Sequence, residues 1–320
     1  MPFAETGPVK LYYESRGRGP AVLLVMGLGM TLSGWWRTVP VLARSFRVLS
    51  FDNRGIGRSD GSALPYSVAA MADDAIAVLD AAGEQRAHVY GISLGGMVAQ
   101  ELGLRHPDRV RALVLGATTP GGSPAVLAGV PALGFFWRAV AMEPEEALWA
   151  AVPYTYGETT RRRHAQRIAE DIAHRVRLPP GPSAYGHQVA AAAIHSTFDR
   201  LGEIAAPTLV VHGEEDAIVP PQHARLLAEA IQGAELRLWP GAGHLYVTDE
   251  PHADREIARF LRRHTGERSG MRGLPAQIRA AAAALARRPR FPLARYDRLT
   301  ASPADPPAPR ATAEGAKHER

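Results

Sequence analysis

Cysteine is absent from all 320 residues. That excludes a disulfide scaffold, a thiolate nucleophile, an iron–sulfur cluster and a cysteine-ligated zinc. Long apolar runs are scarce. The longest stretch of apolar residues and glycine, Ala21 to Met30, is about half of what a membrane-spanning helix needs. Met1 to Lys10 has no basic segment leading into an apolar one, so no signal peptide is expected and the expected location is the cytoplasm. The body of the chain also lacks excess charge. Residues 1–264 carry 26 Lys+Arg against 27 Asp+Glu, a net −1, whereas residues 265–320 carry 11 against 5, a net +6. The overall +5 therefore comes from the tail, and no nucleic-acid partner is expected of a body without a basic face. Arg161-Arg162-Arg163 reads as a solvated helix face. What is present is ordinary for a globular protein: 46% apolar residues, in a chain long enough to bury a substantial core.

Short apolar runs alternate with helical patterns. Val9–Tyr13, Ala21–Val25, Phe46–Phe51, Ala87–Tyr90, Val110–Leu115, Thr208–Val211 and Glu235–Trp239 read as strands. Leu32–Arg44, Tyr66–Ala82, Leu94–His106, Pro221–Ile231 and Pro251–Arg263 read as helices. Continuous apolar strands such as Ala21-Val22-Leu23-Leu24-Val25 suit a sheet covered on both faces. The expectation is an α/β fold with a doubly wound, mostly parallel sheet. The alternation breaks between Thr119 and Asp199, where prolines separate helical stretches. Four segments follow: 1–120, first part of the core; 121–198, a helical cap insertion; 199–264, second part of the core; 265–320, a basic Pro/Ala/Arg-rich tail expected to be mostly disordered, with one possible helix around Pro275–Arg288.

The strongest chemical signal is Gly91-Ile92-Ser93-Leu94-Gly95, between an expected strand and an expected helix. A very tight strand-to-helix turn lifts the serine hydroxyl above the sheet and leaves no room for side chains two residues away. The following helix directs its N-terminal N–H groups at the same place, where they favour developing negative charge. A serine hydroxyl needs a base, and the base an orienting acid. Asp216 follows the strand Thr208–Val211 and His244 follows the strand ending at Trp239. In a parallel sheet the C-terminal strand ends share one edge. Ser93, Asp216 and His244 are thus expected together there.

At these residues the chain resembles the α/β-hydrolase superfamily, over about residues 8–264. The resemblance rests on Gly91-Ile92-Ser93-Leu94-Gly95-Gly96, Asp52-Asn53-Arg54-Gly55-Ile56-Gly57-Arg58-Ser59, Pro207 to Asp216, and Gly243-His244. It implies Ser93 as nucleophile, His244 as general base and then acid, Asp216 as the acid orienting His244, and an oxyanion hole from the backbone N–H groups of Leu28 and Leu94. The family usually has His-Gly before the second oxyanion residue, where this chain has Met26-Gly27-Leu28. The donor is a backbone amide, so a change of side chain leaves that chemistry available.

Other residues compete for these roles. His88 and His212 lie in or at the end of strands and read as packing residues, and His252 and His264 fall on the last helix. Glu214 and Glu215 compete with Asp216, which the family spacing favours. Asp52 and Arg54 read as stabilising a tight turn. Glu170 and His174, with His164 nearby, match no metal spacing and read as a solvated face, so no metal is expected. The insertion carries Val126, Leu127, Val130, Leu133, Phe135, Phe136, Trp137, Val140, Met142, Leu148 and Trp149, an apolar load suited to packing on the core and lining an acyl or aromatic pocket.

The expected function is a serine hydrolase cleaving a carboxylic ester, lactone or related acyl bond of a small to medium apolar molecule, without cofactor. A cofactor-free haloperoxidase or perhydrolase, or a carbon–carbon bond hydrolase, would use the same triad. Serine at 93 disfavours epoxide hydrolysis and dehalogenation, which need a carboxylate there. Two remote readings remain. One is a dinucleotide-dependent oxidoreductase, for which Gly27-x-Gly29 lacks a third glycine at Leu32; the other is a catalytically inactive binding protein.

Overall fold

A computed structural model describes residues 3–122, 134, 135, 138, 139 and 142–266. Eight strands form one sheet in the order β1-β2-β4-β3-β5-β6-β7-β8. They are β1 Phe3–Thr6, β2 Val9–Arg16, β3 Ala21–Val25, β4 Arg47–Phe51, β5 Ala87–Ile92, β6 Val110–Gly116, β7 Thr208–Gly213 and β8 Glu235–Trp239. The first two pair antiparallel, β2 also runs antiparallel to β4, and every pairing from β4 through β8 is parallel. Strands β3, β5 and β7 are buried along their whole length, as their uninterrupted apolar runs require.

The helices lying wholly within the described residues are α1 Thr38–Leu42, α2 Val68–Ala81, α3 Leu94–Arg105, α4 Pro144–Ala150, α5 Val152–Thr155, α6 Glu158–Arg163, α7 Ala165–Arg175, α8 Pro182–Ile194, α9 Gln222–Ala230, α10 Tyr246–Asp249 and α11 Ala253–Arg263. One apolar layer unites α2, α3 and α9 with one face of the sheet. A second unites α1 and α11 with the other. Helices α4–α8 form the insertion between β6 and β7, and within it the described residues make a single isolated bridge, Gly121 to Ser196, and no strand.

Two elements differ from the sequence reading. The strand Phe3–Thr6 went unread because four residues at a chain end carry too little alternation. The helix expected over Leu32–Arg44 is split into a 3₁₀ turn, Leu32–Trp35, and the short α1. Pro40 has no N–H and is tolerated only in a first helical turn, so the helix must start afresh at Thr38. The tail helix at Pro275–Arg288 and most of the apolar residues 126–140 lie outside the described residues.

Candidate active site

At the β5–α3 junction Ser93 adopts φ 57° and ψ −120°. A non-glycine residue with positive φ is strained. Backbone held on every side enforces it: Ser93 N–H donates to Gly116 O at 2.8 Å, and Ser93 O accepts from Gly96 N and from Thr118 Oγ1 at 2.9 and 2.7 Å. The two flanking glycines are required by contact. A Cβ on Gly91 would lie 2.0 Å from Gly95 O, and one on Gly95 would lie 2.0 Å from Val25 O. Ser93 remains half-buried at the mouth of the sheet edge.

Asp216 and His244 meet on the same edge. His244 Nδ1 lies 2.8 Å from Asp216 Oδ2, with the carboxylate fully buried. Nδ1 donates there, so in the uncharged tautomer the ring's lone pair falls on Nε2. Asp216 Oδ1 accepts from the backbone N–H groups of Ile218 and Val219 at 2.9 and 2.8 Å. Burial alone would raise the Asp216 pKa, but the adjacent His244 charge and hydrogen bonds from His212 and His244 outweigh it and hold the carboxyl well below its usual range. Ser93 Oγ makes no hydrogen bond to His244 among the described residues, a contact that often tightens only around substrate.

His212 does more than the sequence reading allowed. It is buried as expected, but its Nε2 lies 3.0 Å from Asp216 Oδ2 and 2.8 Å from Val219 O. Both partners are acceptors, so Nε2 carries the hydrogen and shares it. Its place four residues before Asp216, at a strand end, was the available signal. His88 is a packing residue, edge-on to Phe46, with burial pulling its pKa down to about 3.

The loop after β3 faces the elbow. Met30 N–H donates to Gly27 O, Gly29 has φ 67°, and Gly29 N–H donates to Gln188 Oε1 at 2.8 Å. Among the described residues, the backbone N–H groups of Leu28 and Leu94 have no acceptor. Asn53 Nδ2 donates to Met26 O, and Asp52 accepts from Leu32 N and Arg58 N, so Asp52-Asn53 fastens this loop from below. Arg54 forms a two-pronged pair with Asp74 at 2.5 Å. The turn-stabilising reading of Asp52 and Arg54 fits these contacts.

The insertion is bolted to the edge by polar groups. Leu245 N–H donates to Thr155 O, and Asp249 Oδ2 accepts from Gly157 N and Gly243 N at 2.9 and 2.7 Å. Asp171 accepts from Trp36 Nε1, Arg37 Nε and Tyr156, and also bonds Thr248. Glu170 and His174 do not form the solvated face expected of them. Glu170 pairs with Arg37 at 2.8 Å and His174 stacks on Trp36, because Trp36-Arg37 reaches up from the core to α7. A cavity of about 20 Å³ between Met26, Ile92, Leu245, Trp36 and Arg175 has room for roughly one water. Among the described residues no cluster could hold a metal ion, and no helix is long and apolar enough to cross a membrane.

The model of the alpha/beta hydrolase fold family matches residues 20–251. A relative from Azorhizobium caulinodans, named as the carbamate hydrolase RutD, is 31% identical over 265 residues, covering 80% of this chain and 96% of its own. The enol-lactonase from Burkholderia xenovorans LB400 superposes with TM-score 0.71 at 26% identity, over 82% of this chain and 100% of its own. A thermophilic esterase from Thermogutta terrifontis gives TM-score 0.69 at 27% identity, over 82% and 97%. With these matches and the fold above, the chain belongs to the alpha/beta hydrolase fold family and is a hydrolase.

Proposed function

We propose that the chain is a serine hydrolase that cleaves an acyl bond of a small to medium, largely apolar molecule through an acyl-enzyme on Ser93. The observation that carries this reading is the strained Ser93 at the strand–helix junction, on the same edge as a histidine whose Nδ1 is held by a buried, ionised aspartate. Ser93 Oγ attacks the substrate carbonyl carbon while His244 Nε2 takes its proton. Asp216 holds Nδ1–H and stabilises the imidazolium. The N–H groups of Leu28 and Leu94 bind the oxyanion. His244 then gives the proton to the leaving oxygen or nitrogen, the carbon–heteroatom bond breaks, and a water activated by the same histidine releases the acid. Removing the orienting carboxylate in such an assembly lowers kcat by about four orders of magnitude.

Helices α4–α8 act as the cap that selects substrate. Ester, lactone and carbamate share the carbonyl this chemistry needs, and the relatives' names, a carbamate hydrolase, an enol-lactonase and an esterase, span all three. The test is labelling by a fluorophosphonate, wild type beside Ser93→Ala, with turnover of p-nitrophenyl esters of rising chain length, a lactone and an aryl carbamate. Labelling lost in the variant is expected, with one acyl class turned over well above the others. A well-folded wild type that takes no label would overturn the reading.

A further inference from the structure

Gln188 on α8 is fully buried, and its two polar ends face different groups. Its Oε1 accepts the Gly29 N–H at 2.8 Å, while its Nε2 is buried beside the Tyr66 hydroxyl. The Gly29 donor fixes the orientation of the amide, because turning it over would set N–H against N–H. For packing alone, methionine or leucine would fill this place without a buried amide that must find partners. The Oε1 contact is therefore what a glutamine supplies here.

That contact falls on the most sensitive peptide of the loop. Gly27 to Met30 is a tight turn closed by Met30 N–H on Gly27 O at 3.3 Å. Leu28 has negative φ and Gly29 has φ 67°, the signature of a type II turn. The type I alternative differs chiefly by a flip of the central peptide, the one that carries the Gly29 N–H. Holding that N–H on Gln188 Oε1 selects the type II form. The neighbouring peptide contains both Gly27 O, which closes the turn, and the Leu28 N–H. The ring of Tyr185, one helical turn before Gln188, lies against Gly29, where a Cβ would come within 2.9 Å. Gly29 and Gln188 are 159 positions apart.

We infer that Gln188 is a positioning residue: from the cap, it locks the Gly27–Met30 turn so that the Leu28 N–H faces the oxyanion formed at Ser93. This rests on the serine-hydrolase reading above. Seating of the cap and competence of the oxyanion hole are thereby one event.

The experiment compares wild type, Gln188→Met, which keeps the length and loses the acceptor, and Gln188→Glu, which keeps an acceptor. Each is assayed on an ester and on its thionoester, whose sulfur is a weak acceptor and so draws little from an oxyanion hole. Gln188→Met is expected to lower kcat on the ester about tenfold to a hundredfold, below the ~10²–10³ lost with an oxyanion donor itself. KM should stay within about threefold, with little change on the thionoester. Gln188→Glu should recover most of the ester-to-thionoester ratio. If Gln188→Met fails to fold, the ratio in Gln188→Glu is decisive: near wild type supports the inference, and a collapse overturns it. An unchanged kcat in Gln188→Met, or an equal fall on both substrates, overturns the inference while leaving the hydrolase reading intact. Absence of ester turnover and of fluorophosphonate labelling in wild type overturns both.

Discussion

The elbow and the cap sit against each other and are held by opposite means. Around Ser93 the constraint is backbone against backbone. Gly91, Gly95 and Val25 leave no space for a Cβ, and the strands feeding the junction are buried in two broad apolar layers. Among its described residues the cap has less of that. Among the described residues its own buried apolar cluster is small, Tyr156, Ile168 and Ile172 with Leu245 from the core, and much of its attachment runs through polar side chains, Asp171, Asp249, Glu170 and Gln188 among them. The difference teaches where such a molecule can vary. The turn at Ser93 is over-determined by sterics that no side-chain exchange relaxes. The insertion, which the proposed function makes the substrate-selecting part, hangs largely on polar contacts that can be lost or re-formed one at a time.

The comparison can be broken first at Gly95. Gly95→Ala would drive a Cβ into the Val25 carbonyl, and overpacking of this kind in a place that cannot yield costs about 3 kcal/mol or more. The expected result is a global fall in Tm and no fluorophosphonate labelling. A Tm within a degree or two of wild type would show that the elbow is as forgiving as the cap.

Asp171→Ala is expected to have the next largest effect and a different character. It removes the acceptor of Trp36 Nε1, Arg37, Tyr156 and Thr248, a loss of about 3 kcal/mol, the low end for a buried pair because Arg37 keeps Glu170. The damage should be local. Limited proteolysis should cut within 142–194 while the main unfolding transition stays cooperative. Uniform loss of protection across the chain would contradict a separately held cap.

Asp254 sharpens the contrast from the other side, because here a carboxyl lies within the apolar layer under α11. Burial raises its pKa to about 7, offset only in part by Thr38, and among the described residues its Oδ1 has no hydrogen-bond partner. The folded state therefore keeps a proton that the unfolded chain releases above about pH 4. Folded pKa above unfolded pKa means, for an acid, that stability declines as pH rises from about 4 to about 7, by roughly 1.4 kcal/mol per unit at most. Asp254→Asn removes that decline. Thermal melts at pH 5 and pH 8 should show the variant gaining on wild type at the higher pH. Equal Tm differences at both values would mean that the carboxyl is solvated.

Legibility in the sequence follows the same division. The elbow was readable because its cause is local: five residues between a strand and a helix carry the whole steric argument. Asp216 and His244 were readable because the ends of parallel strands converge, so a loop position stands in for a spatial one. The contacts of the cap were not readable. Gly29 with Gln188, Trp36 with His174 and Asp171 with Thr248 are joined by packing across 77 to 159 positions, and no periodicity encodes such pairs. His212 lies between these cases, close to Asp216 in sequence but apolar in its strand context. The split at Thr38 shows a local cause overlooked, since Pro40 alone dictates it.

The two ends of the sheet bear on how copies of this chain meet one another when concentrated. An open strand edge is a template for adding a further strand from another molecule. Here β1 has four residues and β8 five. Along β8, Glu235 and Arg237 are drawn sideways into ion pairs with Arg263 and Glu256 on α11. A visiting strand would find too short a ladder, flanked by fixed charge of both signs. The sheet's margins thus disfavour edge-to-edge pairing, independently of the chemistry at its centre.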